Sequence, residues 1–98
     1  MNMQALMKQA QNLQKEMMKS KEEIDNKEFI GESSLVKVTM MGTKKITKVE
    51  IDAEELTKED IEMLQDMILL AVNDATKQID DFTENKMGKF GNSMPGLF

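Results

Sequence analysis

Three lysines near the start of the chain have the spacing of one face of an α-helix. Lys8, Lys15 and Lys19 are seven and four residues apart, so on a helix they project within about 40° of one another. Ammonium groups in a row can bind the regularly spaced charges of a phosphate backbone. A solvated helix face has the same pattern, so the spacing leaves both interpretations open.

The composition excludes most catalytic chemistry. The 98-residue chain has no Cys and no His, which removes thiolate nucleophiles, Ser-His triads, the usual zinc ligands and imidazole acid-base catalysis. Neighbouring acids such as Asp80 and Asp81 point about 100° apart on a helix instead of facing across a cleft. A calcium loop beginning at Asp52 would need Gly where Thr57 stands. We therefore expect no enzyme activity, no metal, no other cofactor and no small-molecule substrate.

The apolar residues around the three lysines predict the helix that carries them. They recur at helical spacing on the side opposite the lysines, and they are Leu6, Ala10, Leu13, Met17 and Ile24. This pattern predicts an amphipathic helix from Met3 to about Asp25.

The following residues change to the alternation of β-strands. Three strands are predicted, over 28–33, 35–41 and 44–52. Ile46 breaks the alternation of the third strand, which indicates a bulge or an edge. Gly42, between the second and third strands, suits a tight turn that needs a positive φ.

A second, longer helix is predicted from Lys58 to about Met87. Thr57 and Asp60 have the spacing of an N-cap and its acidic partner. The main apolar stripe of this helix is Ile61, Leu64, Ile68, Ala71, Val72, Ala75, Ile79 and Phe82. From Gly88 onward the chain contains three glycines and its only proline. We therefore expect a single folded domain over 1–87 and a flexible tail over 88–98.

A second apolar stripe on this helix predicts a partner. Met63, Met67 and Leu70 lie on a different side from the main stripe. A helix of about 30 residues is about 45 Å long, more than three short strands can cover. We expect a homodimer whose interface includes these three side chains; the alternative is that they cover the sheet within one protomer.

Charge is unevenly distributed along a chain whose net charge is −5. Residues 1–21 carry four lysines and one acid, 33–49 carry four lysines and no acid, and 50–84 carry twelve acids and two lysines. The first helix and the hairpin could therefore face phosphates while the last helix stays away. No segment has the features of a membrane span or a secretion signal, so we expect a cytoplasmic protein without membrane contact.

Five segments carry a resemblance to a known family. In chain order they are MKQAQNLQKEMMKSKEEI, GESSLVKVTMMG, KVEID, AVNDATKQI and MPGLF. Together they resemble the YbaB/EbfC family of bacterial nucleoid-associated proteins over Met7–Phe98. The resemblance implies an α+β protomer with a long N-terminal helix, a three-stranded antiparallel sheet and a long C-terminal helix. It also implies a tweezer-like homodimer, joined through the sheets and last helices, with projecting helical arms.

The resemblance also implies a function and the residues that serve it. It implies non-specific or weakly specific binding of duplex DNA in the nucleoid, effects on nucleoid organisation and gene expression, and no catalysis. The positions that match the family are Lys8, Gln9, Gln11, Lys15 and Lys19 on the first helix and Lys77 on the last. The chain has no Arg, so bidentate contacts to guanine or phosphate are absent. The acidic stretch over 50–84 leaves an alternative, a dimeric adaptor or chaperone-like scaffold whose acidic last helix and Met-rich surfaces hold a basic protein, with little DNA binding.

Overall fold

The computed structural model of the chain describes residues 2–91 as two long helices and a three-stranded sheet. The elements are α1 (Met3–Asn26), β1 (Glu28–Ser33), β2 (Val36–Met41), β3 (Ile46–Ile51), a 3-10 turn (Lys58–Asp60) and α2 (Ile61–Gly91). The α+β class and the predicted order of elements are confirmed.

Local side-chain contacts determine where both helices begin. The Asn2 side chain accepts a hydrogen bond from the Gln4 backbone N–H at 3.0 Å at the start of α1. Before α2, the Thr57 backbone N–H donates to Asp60 Oδ2 at 2.9 Å. These bonds satisfy backbone groups that the first helical turn leaves without partners. The predicted pairing of Thr57 with Asp60 is confirmed, although the first turn is a 3-10 turn.

The sheet is antiparallel in the order β1-β2-β3. Met40 pairs with Ile46 while the preceding Thr39 pairs with Lys48, so Thr47 is an extra residue in β3. The irregularity predicted at Ile46 is therefore confirmed as a β-bulge. Side chains of β2 alternate between buried and outward positions, whereas all six residues of β3 are exposed.

The turn between β2 and β3 differs from the prediction at Gly42. Lys44 adopts the positive φ, at 72°, and Gly42 lies outside the left-handed region. The prediction of a positive φ at Gly42 was therefore wrong. Gly42 is required for space, because a Cβ there would overlap the carbonyl oxygen of Ile24 at the end of α1. The Gly42 backbone N–H also donates to the Lys27 carbonyl at 3.0 Å.

The core lies between α2 and the first two strands. Its buried side chains are Phe29, Met40, Ala75 and Ile79 in one cluster and Val36, Val38 and Ala71 in the next. A Cβ at Gly31 of β1 would overlap the carbonyl oxygen of Ala71. The pairing of this glycine with the small side chains Ala71 and Ala75 therefore allows α2 to lie unusually close to the sheet.

The C-terminal part of α2 packs against α1. Met87 and Phe90 form a buried cluster with Ile24. Phe90 is only 1% exposed, and its burial against α1 stabilises the last turn of α2. The helix therefore continues through Gly88 to Gly91, and the predicted helix end near Met87 was too early. Residues 92–98 of the predicted tail lie outside the described residues. The division of the chain at residue 87 stays a prediction.

The molecule is elongated, with a radius of gyration of 19.4 Å and dimensions of 71 × 19 × 14 Å. A compact chain of this length would have a radius of gyration of about 13 Å. Residues 3–12 of α1 are exposed on every side of the helix. The apolar side of α1 becomes partly covered only from Leu13 onward, where it packs against the α1–α2 cluster. We call residues 3–12 the arm.

Candidate nucleic-acid interface

The exposed face of α1 carries the lysines that the sequence singled out. Lys8, Lys15 and Lys19 are all exposed, and their spacing places them on one side of the helix. Lys8 and Lys15 form no salt bridge or side-chain hydrogen bond with any residue between 2 and 91. Glu16 is the first acid of the chain. The arm therefore has positive charge that no neighbouring carboxylate offsets.

Two glutamines extend this face into a continuous row. Gln4 and Gln11 alternate with Lys8 and Lys15 at spacings of four, three and four residues, which keeps all four side chains on one side of the helix. We call Gln4, Lys8, Gln11, Lys15 and Lys19 the α1 row. The resemblance identified Gln11, whereas Gln4 was missed. The four-residue spacing between Gln4 and Lys8 could have identified it from the sequence.

The second basic segment of the sequence is largely neutralised by folding. Lys37 lies 3.9 Å from Glu32, Lys44 lies 3.0 Å from Asp80, and Lys48 lies 3.2 Å from Glu50. Three of the four lysines of residues 33–49 thus face a carboxylate. Elsewhere in the described chain, Lys27, Lys45 and Lys58 lack an acidic partner, but they lie on different elements. The expectation that the hairpin offers a phosphate-binding surface is therefore weakened.

Lys77 differs from the lysines of α1 in its surroundings. Its Nζ donates to Asp81 Oδ2 at 3.0 Å. This hydrogen bond and the charge of Asp81, with a smaller contribution from Asp74, raise the pKa of Lys77 above its ordinary value. Lys77 is therefore protonated at neutral pH, but its charge is offset locally. It also precedes Met87, which contacts α1, by ten residues, or about 15 Å of helix. The structure leaves Lys77 outside the α1 row.

An ion pair joins the base of α1 to α2. Lys86 Nζ donates to Glu23 Oε2 at 2.6 Å. The hydrogen bond and charge of Lys86 lower the pKa of Glu23 below its ordinary value, and Lys19 adds a smaller effect. A carboxylate with a lowered pKa supports the fold at neutral pH, and this support is lost as the pH falls through the lowered value. The pair therefore helps to hold α1 against α2 at neutral pH.

The predicted interface residues have two different environments. Met67 is partly buried and packs against Val36, Val38 and Ala71, whereas Met63 is 42% and Leu70 57% exposed. On β3, Val49 and Ile51 pair with the buried Val38 and Val36, yet they are 48% and 40% exposed because α2 does not cover them. The resemblance implied an interface through the sheets, but the residue pattern did not identify Val49 and Ile51, since the reach of α2 over the sheet depends on tertiary packing.

The described residues show neither a metal-binding cluster nor a membrane-spanning helix. Between residues 2 and 91, no group of three or more acidic side chains could hold a metal ion. No helix within this range has the length and hydropathy needed to cross a bilayer.

Similarity to known proteins identifies the class. The sequence model of the YbaB/EbfC DNA-binding family matches residues 1–94, so the chain belongs to this family and the resemblance is confirmed. A nucleoid-associated protein of Lactococcus lactis is 48% identical over 97 residues, covering 97% of this chain and 98% of the relative. A nucleoid-associated protein of Enterococcus faecalis is 44% identical over 98 residues, covering 98% of this chain and 94% of the relative.

A solved structure supports the fold independently. The crystal structure of the uncharacterized protein HP0035 from Helicobacter pylori matches with a TM-score of 0.73 over 91% of this chain and 96% of that chain. Its sequence identity is 23%, so the similarity concerns the fold alone.

Proposed function

We propose that this protein is a nucleoid-associated protein that binds duplex DNA as a homodimer, with weak or no sequence specificity. In this proposal it acts in the bacterial nucleoid, influences nucleoid organisation and gene expression, and catalyses no reaction. The observation that carries the proposal is the α1 row, in which the exposed lysines Lys8 and Lys15 have no ion-pair partner among residues 2–91. Membership of a DNA-binding family and the names of the relatives support it.

The chemistry of the α1 row favours phosphate contacts over base recognition. Lysine is a point charge that attracts any phosphate, and each contact releases counterions from the duplex. Without Arg, the planar bidentate pairing with guanine is absent. The acidic stretch over 50–84 would repel the duplex, which favours an orientation with α1 towards the DNA.

The amount of exposed surface supports a homodimer. The accessible surface of the protomer is 7572 Å², compared with about 5,700 Å² expected for a compact monomer of this mass. Part of this excess is apolar, on Leu70 of α2 and on Val49 and Ile51 of β3. Covering such side chains in an interface removes apolar area from water and stabilises the assembly.

The salt dependence of DNA binding tests the phosphate contacts. With three α1 lysines from each of two protomers on phosphates, we expect the logarithm of the affinity to fall with the logarithm of salt concentration at a slope of about −5. Lys15→Gln should reduce the magnitude of the slope by about 2, because the dimer loses two contacts. Fluorescence anisotropy with a labelled duplex between low and moderate salt measures both values. A slope that Lys15→Gln leaves unchanged would exclude Lys15 from the contacts.

A double substitution tests the dimer. Met63→Glu with Leu70→Glu should convert the protein from twice the 11.2 kDa chain mass to a monomer, because carboxylates cannot be buried without partners. Light scattering after size-exclusion chromatography gives the mass. Met18→Glu, at a side chain of α1 that is 65% exposed, is the control and should remain dimeric. A wild-type chain that is monomeric at micromolar concentration would contradict the homodimer.

The acidic stretch supports a second candidate, an adaptor that holds a basic protein. However, some of its acids already have partners within the chain, which reduces the charge available to a basic protein. Asp74 accepts from the Glu32 backbone N–H at 3.0 Å, and Asp80 pairs with Lys44. A gel-shift titration with duplex DNA, run beside a pull-down from lysate, separates the candidates. Absence of a shift at every salt concentration, together with a stoichiometric basic partner, would favour the adaptor.

A further inference from the structure

The arm differs from the rest of α1 because no other element lies against it. Residues 3–12 are exposed around the whole helix, whereas from Leu13 onward α1 packs against Phe90 and Met87. A single helix with its side chains is about 10–12 Å wide, which matches the width of about 12 Å of the major groove. A pair of packed helices is too wide to enter. The arm is therefore the part of α1 that can enter the groove.

Two amide side chains of the arm, Gln4 and Gln11, are available for base contacts. Within the part of the chain that the structure describes, the Gln4 and Gln11 side chains form no hydrogen bond. A glutamine amide can bind adenine through N6 and N7 together in the major groove. Gln4 and Gln11 lie about 10.5 Å apart along the helix, roughly the rise of three base pairs. Both amides can therefore reach bases of the same site.

An exposed methionine lies beside these glutamines. Met7 is 58% exposed, and it precedes Gln11 by four residues, so the two side chains are neighbours on the helix surface. An apolar side chain at this position can contact the C5-methyl group of thymine, which only an A·T pair presents in the major groove. The amides and the thioether thus favour the same base pair.

We propose that the arm enters the major groove and that Gln4, Gln11 and Met7 give the protein a modest preference for A·T base pairs. This inference rests on the proposed binding of duplex DNA and adds to it the groove and the base pair. Lys8 and Lys15, which alternate with the glutamines, hold the phosphates that border the groove. The lysines then supply most of the affinity, and the amides supply the discrimination.

Three duplexes of equal length test which groove is read. The first has a central block of alternating A·T pairs, the second has G·C pairs there, and the third has hypoxanthine·cytosine pairs. A hypoxanthine·cytosine pair presents the G·C pattern in the major groove, but in the minor groove it lacks the 2-amino group and resembles A·T. We expect the A·T duplex to bind about three- to tenfold more tightly than either of the others. Equal binding of the A·T and hypoxanthine duplexes would instead indicate the minor groove and overturn the inference.

Substitutions assign the preference to its residues. Gln4→Ala with Gln11→Ala should reduce the preference to less than about twofold while leaving the affinity for the G·C duplex and the salt slope unchanged. Gln65→Ala, at an exposed glutamine that lies on α2 and outside the arm, is the matched control and should retain the preference. Uracil in place of thymine should weaken binding of the wild type and leave Met7→Ala unaffected.

The outcomes separate this inference from the proposed function. If all three duplexes bind equally with a steep salt slope, the arm contacts phosphates only, and the inference fails while the proposed function stands. If no duplex binds at any salt concentration, the proposed function fails. A preference for A·T that stays well above about twofold after loss of both glutamines would overturn their assignment.

Discussion

Replacement of Lys8, Lys15 and Lys19 by glutamate should abolish binding of duplex DNA. In the proposed complex, each substitution removes one phosphate contact and adds a repelling carboxylate, and a homodimer carries every change twice. Since each phosphate contact contributes about 0.9 to the salt slope, we expect the affinity at moderate salt to fall more than about a thousandfold. Anisotropy measures the affinity. Circular dichroism and light scattering should show an unchanged fold and mass, because these side chains are exposed.

A second triple variant with the same change of charge is the control. Lys37, Lys48 and Lys77 already face Glu32, Glu50 and Asp81, so they have little free charge to offer a duplex. Their replacement by glutamate should lower the affinity less than about tenfold, through the general electrostatic effect of net charge. Equal losses in the two variants would show that binding follows the net charge and not the α1 row.

Gly31→Val should strongly destabilise the fold. Even the first carbon of the new side chain overlaps the carbonyl oxygen of Ala71, so α2 must move away from β1. Such a movement opens the packing of Phe29 and Ile79. Overpacking against a rigid backbone and the resulting loss of core contacts cost more than about 3 kcal/mol, a large part of the 5–15 kcal/mol typical of a small domain. Urea denaturation followed by circular dichroism measures the loss.

Gly88→Ala provides the matched control for this steric argument. A Cβ at Gly88 meets no atom within 4 Å, and the residue lies inside α2. Alanine there should stabilise the protein by about 0.5–1 kcal/mol, because it restricts the unfolded chain and favours the helix. Normal stability of Gly31→Val would mean that α2 does not approach β1 as closely as described.

The sequence predicted those elements whose side chains follow a simple period. α1 was predicted to within one residue, since its pattern reflects one apolar side facing one core. The bounds of β1 were also predicted, but from Phe29, Ile30 and the following turn, and only Phe29 of these two apolar side chains is buried. The C-terminus of α2 was predicted too early. Two glycines indicate the end of a helix, but burial of Phe90 against α1 stabilises the additional turn. That packing involves Ile24 of α1, which is more than sixty positions away from Phe90 in the chain.

The candidate site was predictable in its position but not in its electrostatics. The spacing of Lys8, Lys15 and Lys19 indicated one face, and the structure retains that face in solvent. The neutralisation of Lys44 by Asp80 depends on bringing the β2–β3 turn against α2. Charge counts along a sequence cannot include such a pair, and they therefore overestimated the basic character of the hairpin.

The arm is joined to the rest of the protomer at one end only, so it can tilt as a rigid rod. Contact of α1 with α2 begins at Leu13, and α1 extends about 15 Å from Leu13 back to its first residue, Met3. A tilt of about 10° at the Leu13 contact displaces the far end of this helix by about 2.6 Å. In the proposed homodimer, small adjustments of packing at the Leu13 contact would change the distance between the two arms. Such a dimer would accommodate straight and curved double helices without unfolding any element.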